Sequence, residues 1–303
     1  MKNVIVTGAA GFLGSTLIKR LLAGGARVTA LDLSFSGGTL PDREGLTKTE
    51  HRLTDAEALV SAIPAGEYDA FYHFAWRGVN GPEKADPDIQ SENIRITLAC
   101  AKAAKAIGCK RLLIAGTVAE RAVESLMKLE KTTGGMMYAA AKNAAHQMAE
   151  TYCKYIGQPF VWMQFANIYG PGNHTGNLVS YTLDQLKENK EAQYGPAEQP
   201  YDFIYIDDLI EAIYRLGDAA WDRTGYYAGS GAPRKLKEYL RTIGQICGKE
   251  ELIGIGKRPD DGVTYDMEMF DISALERTIG PYVQTSFEEG VRRTIAGEAD
   301  GEV

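Results

Sequence analysis

Apolar and polar positions alternate along the first two thirds of the chain in two rhythms, one of about two residues and one of about three and a half. Val4 to Thr7 is a β-branched run that ends in glycine, and Phe12, Leu13, Thr16, Leu17 and Leu21 recur at helical spacing until Gly24-Gly25 closes the segment. The pattern predicts strand, tight turn, helix. Further strands are expected at Arg27–Leu33, Ala70–Ala75, Arg111–Ala115 and Phe160–Ala166, with helices over 90–107 and 138–156 between them. The stretch 33–67 is less regular, although Asp55 to Ile63 reads as a capped short helix that Pro64 ends. Strands alternating with helices indicate an α/β protein with a doubly wound parallel sheet covered on both faces.

After Asn167 the texture shifts to Gly, Pro, Asn and Tyr in the run Tyr169 to Asn177, followed by a helix near 178–189. A boundary is expected here, giving residues 1–168 as one domain and 169–303 as a smaller α/β domain. The strand Phe203–Ile206 and the helix after it, with Asp207 as N-cap, belong to a stretch, 202–228, that is expected to return to the first sheet.

Composition narrows the function classes. With 303 residues, 45% hydrophobic and 24% charged, the chain is an ordinary globular protein rather than a disordered or fibrous one. Its 33 basic and 40 acidic side chains give −7 at pH 7, so no global cationic field exists to hold nucleic acid or an anionic membrane. Any phosphate must be held locally. Cys100, Cys109, Cys153 and Cys247 form no C-x-x-C pair, and His51, His73, His146 and His174 are dispersed, so neither a metal site nor a disulfide framework is expected. No secretory leader and no apolar run near the ~20 residues of a membrane span is visible, which favours a cytoplasmic protein.

Two constellations carry chemistry. Gly8, Gly11 and Gly14 form a G-x-x-G-x-x-G turn between the first strand and the first helix, where Phe12 and Leu13 begin the helix. Gly8 permits the turn, Gly11 lets backbone amides approach a pyrophosphate, and Gly14 allows close helix packing. Asp32 ends the second strand eighteen residues after Gly14. Its carboxylate suits the ribose hydroxyls of NAD and repels the 2′-phosphate of NADP, and Leu33-Ser34-Phe35-Ser36 offers no arginine to offset that. Tyr138 and Lys142 are four residues apart on one helical face, and Thr117 lies 21 residues before Tyr138, just past a strand end where open α/β sheets hold ligands. An ammonium and a positive nicotinamide beside a phenol favour the phenolate, making Tyr138 a base near neutral pH with Thr117 holding the substrate oxygen.

With these motifs, the chain resembles an extended short-chain dehydrogenase/reductase of the NAD-dependent epimerase/dehydratase family over nearly its whole length. Matching segments in order are His73-Phe74-Ala75, Asn93, Phe165 to Gly172, Asp202 to Asp208, Arg258-Pro259-Asp260-Asp261 and Ser286 to Gly290. The resemblance implies a Rossmann domain with bound NAD, a nucleotide-sugar substrate and a homodimer formed through the helices at 90–107 and 138–156. It implies Phe74 and Ala75, with the Leu53 backbone at the adenine, as cofactor contacts beside Tyr138 and Lys142. Trp76, Thr117, Asn167, Tyr201 and Arg258 are expected at the substrate. The departures bear on the reaction. Val118-Ala119 replaces the Asp-Glu that dehydratases use, Tyr201 and Gln164 replace arginines, and Arg52 replaces an aspartate. The leading expectation is an NAD-dependent nucleotide-sugar epimerase that passes through a keto sugar. A ketoreductase or dehydrogenase shares the same residues, an unphosphorylated substrate stays open, and a non-catalytic dinucleotide sensor would need none of the three catalytic residues.

Overall fold

The computed structural model describes residues 1–37, 40–130, 133–173, 176–260 and 262–300, with side chains described to residue 297. His174 and Asp261 lie outside the described residues. Seven strands form one sheet: β1 (Asn3–Thr7), β2 (Arg27–Asp32), β3 (Leu46–Glu50), β4 (Ala70–His73), β5 (Leu112–Thr117), β6 (Phe160–Phe165) and β7 (Gly225–Ala228). They run in the order β7-β6-β5-β4-β1-β2-β3, and every pairing is parallel. The chain winds outward from β1 to β3 and then crosses back to β4. This reversal leaves a crevice at the carboxyl ends of β1 and β4, where helices on opposite faces diverge.

Alternation along the strands fills both faces. Val4, Val6, Val28, Tyr72, Leu113 and Val161 pack on one side against Leu17, Ile18 and Leu21 of α1 (Phe12–Ala23). Ile5, Leu31, Phe71, Leu112, Ile114 and Trp162 face the other side, toward α2 (Ala56–Ala62), α3 (Pro87–Ala106) and α4 (Gly134–Ile156). Small residues such as Ala101, Ala104, Ala145 and Ala149 let α3 and α4 lie close to the sheet and to each other. The first apolar cluster continues without a break into α5 (Leu178–Lys187), α6 (Ile206–Asp218), α7 (Leu236–Ile246), α8 (Ser273–Ile279) and α9 (Phe287–Asp300).

Several local expectations change. β3 has no apolar run because it is an edge strand, with every side chain at least partly exposed and its order supplied by the ladder to β2. Asp55 does cap α2, accepting from the Ala58 amide at 2.7 Å. Asp207 does not cap α6. That helix begins at Ile206 with Tyr205 in the cap position, and buried Asp208 accepts instead from the Thr285 amide at 2.9 Å, tying α6 to the loop before α9. Thr117 is the last residue of β5 rather than a loop residue, and it caps a 3₁₀ turn over Val118–Ala122.

Candidate active site

At the crevice, the turn after β1 fits a bound backbone rather than side chains. Gly8 has φ +68, and a Cβ there would fall 2.7 Å from the Ala75 amide nitrogen; one on Gly14 would meet the Gly8 carbonyl oxygen at 2.1 Å. Both positions therefore require glycine, and the turn presses against the end of β4. Gly11 caps α1, so the amides of the first helical turn, Phe12 and Leu13 included, face the helix N-terminus while the two side chains pack on the core. Asp32 accepts from the Ala10 amide at 2.8 Å and from its own neighbour Leu33 at 2.7 Å, which locks the glycine turn to the end of β2.

A cleft of about 440 Å³ opens over this turn, lined by Gly8, Gly11, Asp32, Leu53, Phe74 and Ala75 together with Trp76 and Asn93. His51 and Arg52 also line it, and the His51 Nε2 is buried without a hydrogen-bond partner. An orphaned polar atom in a slot of this shape, beside an anion-binding helix start, suits the adenosine half of a dinucleotide. His73 stands behind the cleft between Thr7 Oγ1 at 2.8 Å and Thr97 Oγ1 at 3.3 Å, and burial lowers its pKa to about 3. It is a neutral structural group, not a base.

Thr117, Tyr138 and Lys142 come together where β5 meets α4. Tyr138 and Lys142 share the α4 face toward the sheet, which brings the Tyr138 phenol beside the Thr117 side chain. Burial raises the phenol above its ordinary range, the nearby Thr117 side chain opposing it. Lys142 is 4% exposed, and burial lowers its pKa to about 7 against the opposing charge of Glu120. The ammonium donates to the Ala115 carbonyl at 2.8 Å and lies 3.8 Å from the centre of the Trp76 indole. Trp76 in turn meets Tyr138 edge-on at 6.2 Å and donates from Nε1 to Gln90 Oε1 at 3.0 Å. Asn93 fixes the same loop by accepting from the Arg77 amide and donating to the Arg77 carbonyl. Trp76 thus joins the first cleft to the Tyr138/Lys142 pair.

Glu120 escaped the sequence reading. Its carboxylate accepts from the Thr117 amide at 2.6 Å, from Trp162 Nε1 at 2.9 Å and from Gln164 Nε2 at 3.2 Å, and His146 Nδ1 lies 3.1 Å away. The His146 ring stacks on Trp162 with centroids 4.6 Å apart. A Cβ on Gly116 would fall 2.8 Å from the Glu120 carboxylate, so the strand end is shaped to admit it. The visible signal was Thr117-Val118-Ala119-Glu120, a capping-box spacing. The Glu120 side chain is enclosed beneath the strand end, whereas Ala119 lines the second cleft.

That second cleft, about 510 Å³, runs between the 3₁₀ turn after β5 and the C-terminal part of the chain. Tyr201 and Arg258 line it, and so does Lys84, which no motif marked. Asn167 stands beside it, its amide donating to the Asp202 carbonyl at 3.1 Å and its Oδ1 accepting from the Tyr201 hydroxyl at 3.0 Å. Arg258 is exposed and donates from Nη2 to the Tyr181 hydroxyl at 2.9 Å.

With this geometry described, comparison decides the family. The model of the NAD-dependent epimerase/dehydratase family matches residues 4–225. The chain belongs to this family. It is an enzyme family whose cofactor is NAD, and the glycine turn and its cleft fit that cofactor. The chain is 25% identical over 326 residues to a probable UDP-glucuronate 4-epimerase of Rhizobium meliloti, covering 96% of this chain and 95% of that one. It is 25% identical over 317 residues to a UDP-glucose 4-epimerase of Mycolicibacterium smegmatis, covering 97% of each. Among solved structures, the Bordetella bronchiseptica enzyme WbmH in complex with NAD+ superposes with a TM-score of 0.81 at 23% identity, covering 100% of both chains. No helix among the described residues is long and apolar enough to cross a membrane.

Proposed function

We propose that the protein is a nucleotide-sugar epimerase. The observation that carries this reading is the meeting of Thr117, Tyr138 and Lys142 between Trp76 of the first cleft and Lys84 and Ala119 of the second, with Val118-Ala119 offering no acid and base to eliminate water. Gly8, Gly11, Asp32, Leu53, Phe74 and Ala75 hold the NAD, with the amides of Phe12 and Leu13 at its diphosphate. Bound NAD supplies a hydride acceptor and donor. Thr117 holds the reacting hydroxyl, Tyr138 takes its proton and later returns it, and Lys142 orients the ribose and stabilises the phenolate. Tyr201 and Arg258 grip the nucleotide end, with Asn167 setting the Tyr201 hydroxyl. Residues 1–168 form the cofactor domain, to whose sheet Gly225–Ala228 returns as β7 while Phe203–Tyr205 pairs with Asn167–Tyr169 outside it, and the rest of 169–303 completes the substrate side.

The test is to extract and identify the bound cofactor and then incubate the protein with a panel of nucleotide sugars. Tightly bound NAD with an isomerised product and no net NADH supports the epimerase, while a stoichiometric change in NADH would make the protein a reductase or dehydrogenase. Tyr138→Phe should lower turnover by ~10²-fold or more with NAD retained.

Two further statements belong to this reading. The protein is a homodimer through α3 and α4, whose outer faces leave Leu98, Tyr152 and exposed Met148 and Tyr155 around an open groove. Ala101 and Ala145 are already spent on packing inside the subunit. It works in the cytoplasm, in keeping with four free cysteines that form no disulfide. Light scattering at micromolar concentration should therefore report twice the mass of the 33.0 kDa chain.

A further inference from the structure

The 3₁₀ turn Pro82–Ala85 carries Lys84 over the catalytic tyrosine, its ammonium 5.0 Å from the centre of the Tyr138 ring, and the same side chain lines the second cleft. The turn is held firmly. Gln90, in the first turn of α3, donates to the carbonyls of Gly78 and Glu83, and Ala85 packs against the start of α4 so closely that a Cβ on Gly134 would fall 3.2 Å from it. Burial lowers the Lys84 pKa, and no carboxylate among the described residues lies within ion-pair distance of it. The acids around it are committed elsewhere: Glu83 pairs with Arg77, Asp86 caps α3, and Asp260, on the cleft wall, accepts from the Gly262 amide. A cation drawn partly out of water and left without a counter-charge is a group whose partner comes with the ligand.

We propose that Lys84 binds an anionic substituent on the substrate's sugar, a carboxylate, so that the enzyme acts on nucleotide-linked acidic sugars. The inference rests on the nucleotide-sugar reading above. The diphosphate is not the partner of Lys84. Exposed Arg258 lines the same cleft with no carboxylate among the described residues paired to it, and is the group left to meet the phosphates. An ammonium is suited to a single compact anion, which it meets as a point charge. Tyr138 itself lies under the ammonium, so an acidic group held there sets which face of the ring meets the hydride acceptor.

The test uses NAD-loaded protein and calorimetric titration with matched pairs of uridine and thymidine diphosphate sugars, one hexuronate and one neutral hexose in each pair, followed by turnover of the same compounds. The hexuronate should bind at least tenfold tighter than its neutral partner, and Lys84→Met should bring the ratio close to one. Lys84→Arg should keep most of the ratio, since it preserves the charge. Equal binding of the two sugars to the wild-type protein, or a ratio unmoved by Lys84→Met, overturns the inference. Binding of neither sugar overturns it together with the nucleotide-sugar reading. Preferential binding without isomerisation keeps the Lys84 assignment and removes the epimerase one.

Discussion

The Lys142 ammonium lies 3.8 Å from the centre of the Trp76 indole and donates a hydrogen bond to the Ala115 carbonyl. The indole therefore covers the group expected to orient the cofactor ribose, and it lines the cofactor cleft as well. Loading NAD has to change the surroundings of Trp76 more than those of Trp162, which is sealed in the core. Titrating NAD into cofactor-free protein should quench tryptophan fluorescence, and Trp76→Phe should remove most of that change. A quench that persists in Trp76→Phe would put the ribose elsewhere.

Burial of Lys142 also makes stability depend on pH. An ordinary lysine keeps its proton to about 10.5, whereas this one keeps it only to about 7 in the folded protein. Between those values the unfolded chain binds a proton that the folded chain does not, so stability rises with pH across the window and is flat below it. Denaturant unfolding of cofactor-free wild type and Lys142→Met at pH 7 and pH 9 isolates this group. The difference should move in favour of the wild type by up to about 2.7 kcal/mol over those two pH units. A constant difference would mean that the ammonium is solvated.

How far the chain could be read depended on whether a residue's role was local. The glycine turn, the strand pattern and the Tyr138/Lys142 spacing each announce themselves within a few residues, because one backbone turn or one helical face carries the physics. β3 had no such signal: its order comes from the ladder to β2, and its Leu-Thr-Lys-Thr-Glu sequence shows only the mixed character of an edge. The start of α3 was legible in Asp86-Pro87, an N-cap followed by proline at the first helical position, yet apolar periodicity alone placed it three residues late. Glu120 was visible as a capping-box residue, but its contacts with Trp162 and Gln164 come from a neighbouring strand. Lys84 gave no signal at all, since its position over Tyr138 depends on a loop folding back on α4.

Asp32 reaches the Ala10 amide as well as the cofactor cleft, so it has two functions to lose. Its charge should make NAD bind at least tenfold tighter than NADP. Asp32→Ala with Leu33→Arg should narrow that gap, and it should also weaken NAD itself because the glycine turn loses an anchor. Titration of the variant with both dinucleotides measures the two effects separately, and an unaltered preference would remove Asp32 from cofactor selection.

The Glu120 network should reveal itself in stability before it does in rate. Glu120→Ala strips the acceptor from the Thr117 amide, from Trp162 Nε1 and from Gln164 Nε2. Leaving buried donors unpaired costs about 1–3 kcal/mol each where nothing replaces the bond, so a loss of at least about 3 kcal/mol in urea unfolding is expected. Glu120→Gln keeps one acceptor oxygen and should lose less. Similar, small losses in both would show that water takes over the carboxylate's place.

Arg258 is expected to hold the substrate diphosphate, and its surroundings now sharpen that expectation. The guanidinium is exposed, stands on the wall of the second cleft, and is steadied by the Tyr181 hydroxyl at 2.9 Å, while Asp260 accepts from the Gly262 amide rather than from the arginine. It is therefore free of a competing carboxylate among the described residues, which an exposed arginine serving only as a surface ion pair would not be. A charge-assisted contact with phosphate contributes about 1.5–3 kcal/mol. If the bond is made equally in the ground and transition states, Arg258→Ala should raise KM by ~10- to 100-fold and leave kcat within a small factor. Tyr181→Phe loosens the tether without removing the charge, and should raise KM by a smaller amount in the same direction. An unchanged KM in Arg258→Ala would mean that the diphosphate rests on backbone amides and Tyr201 alone, or that the substrate carries no diphosphate. Inhibition by the free nucleoside diphosphate separates those cases, since it competes only where a diphosphate site exists.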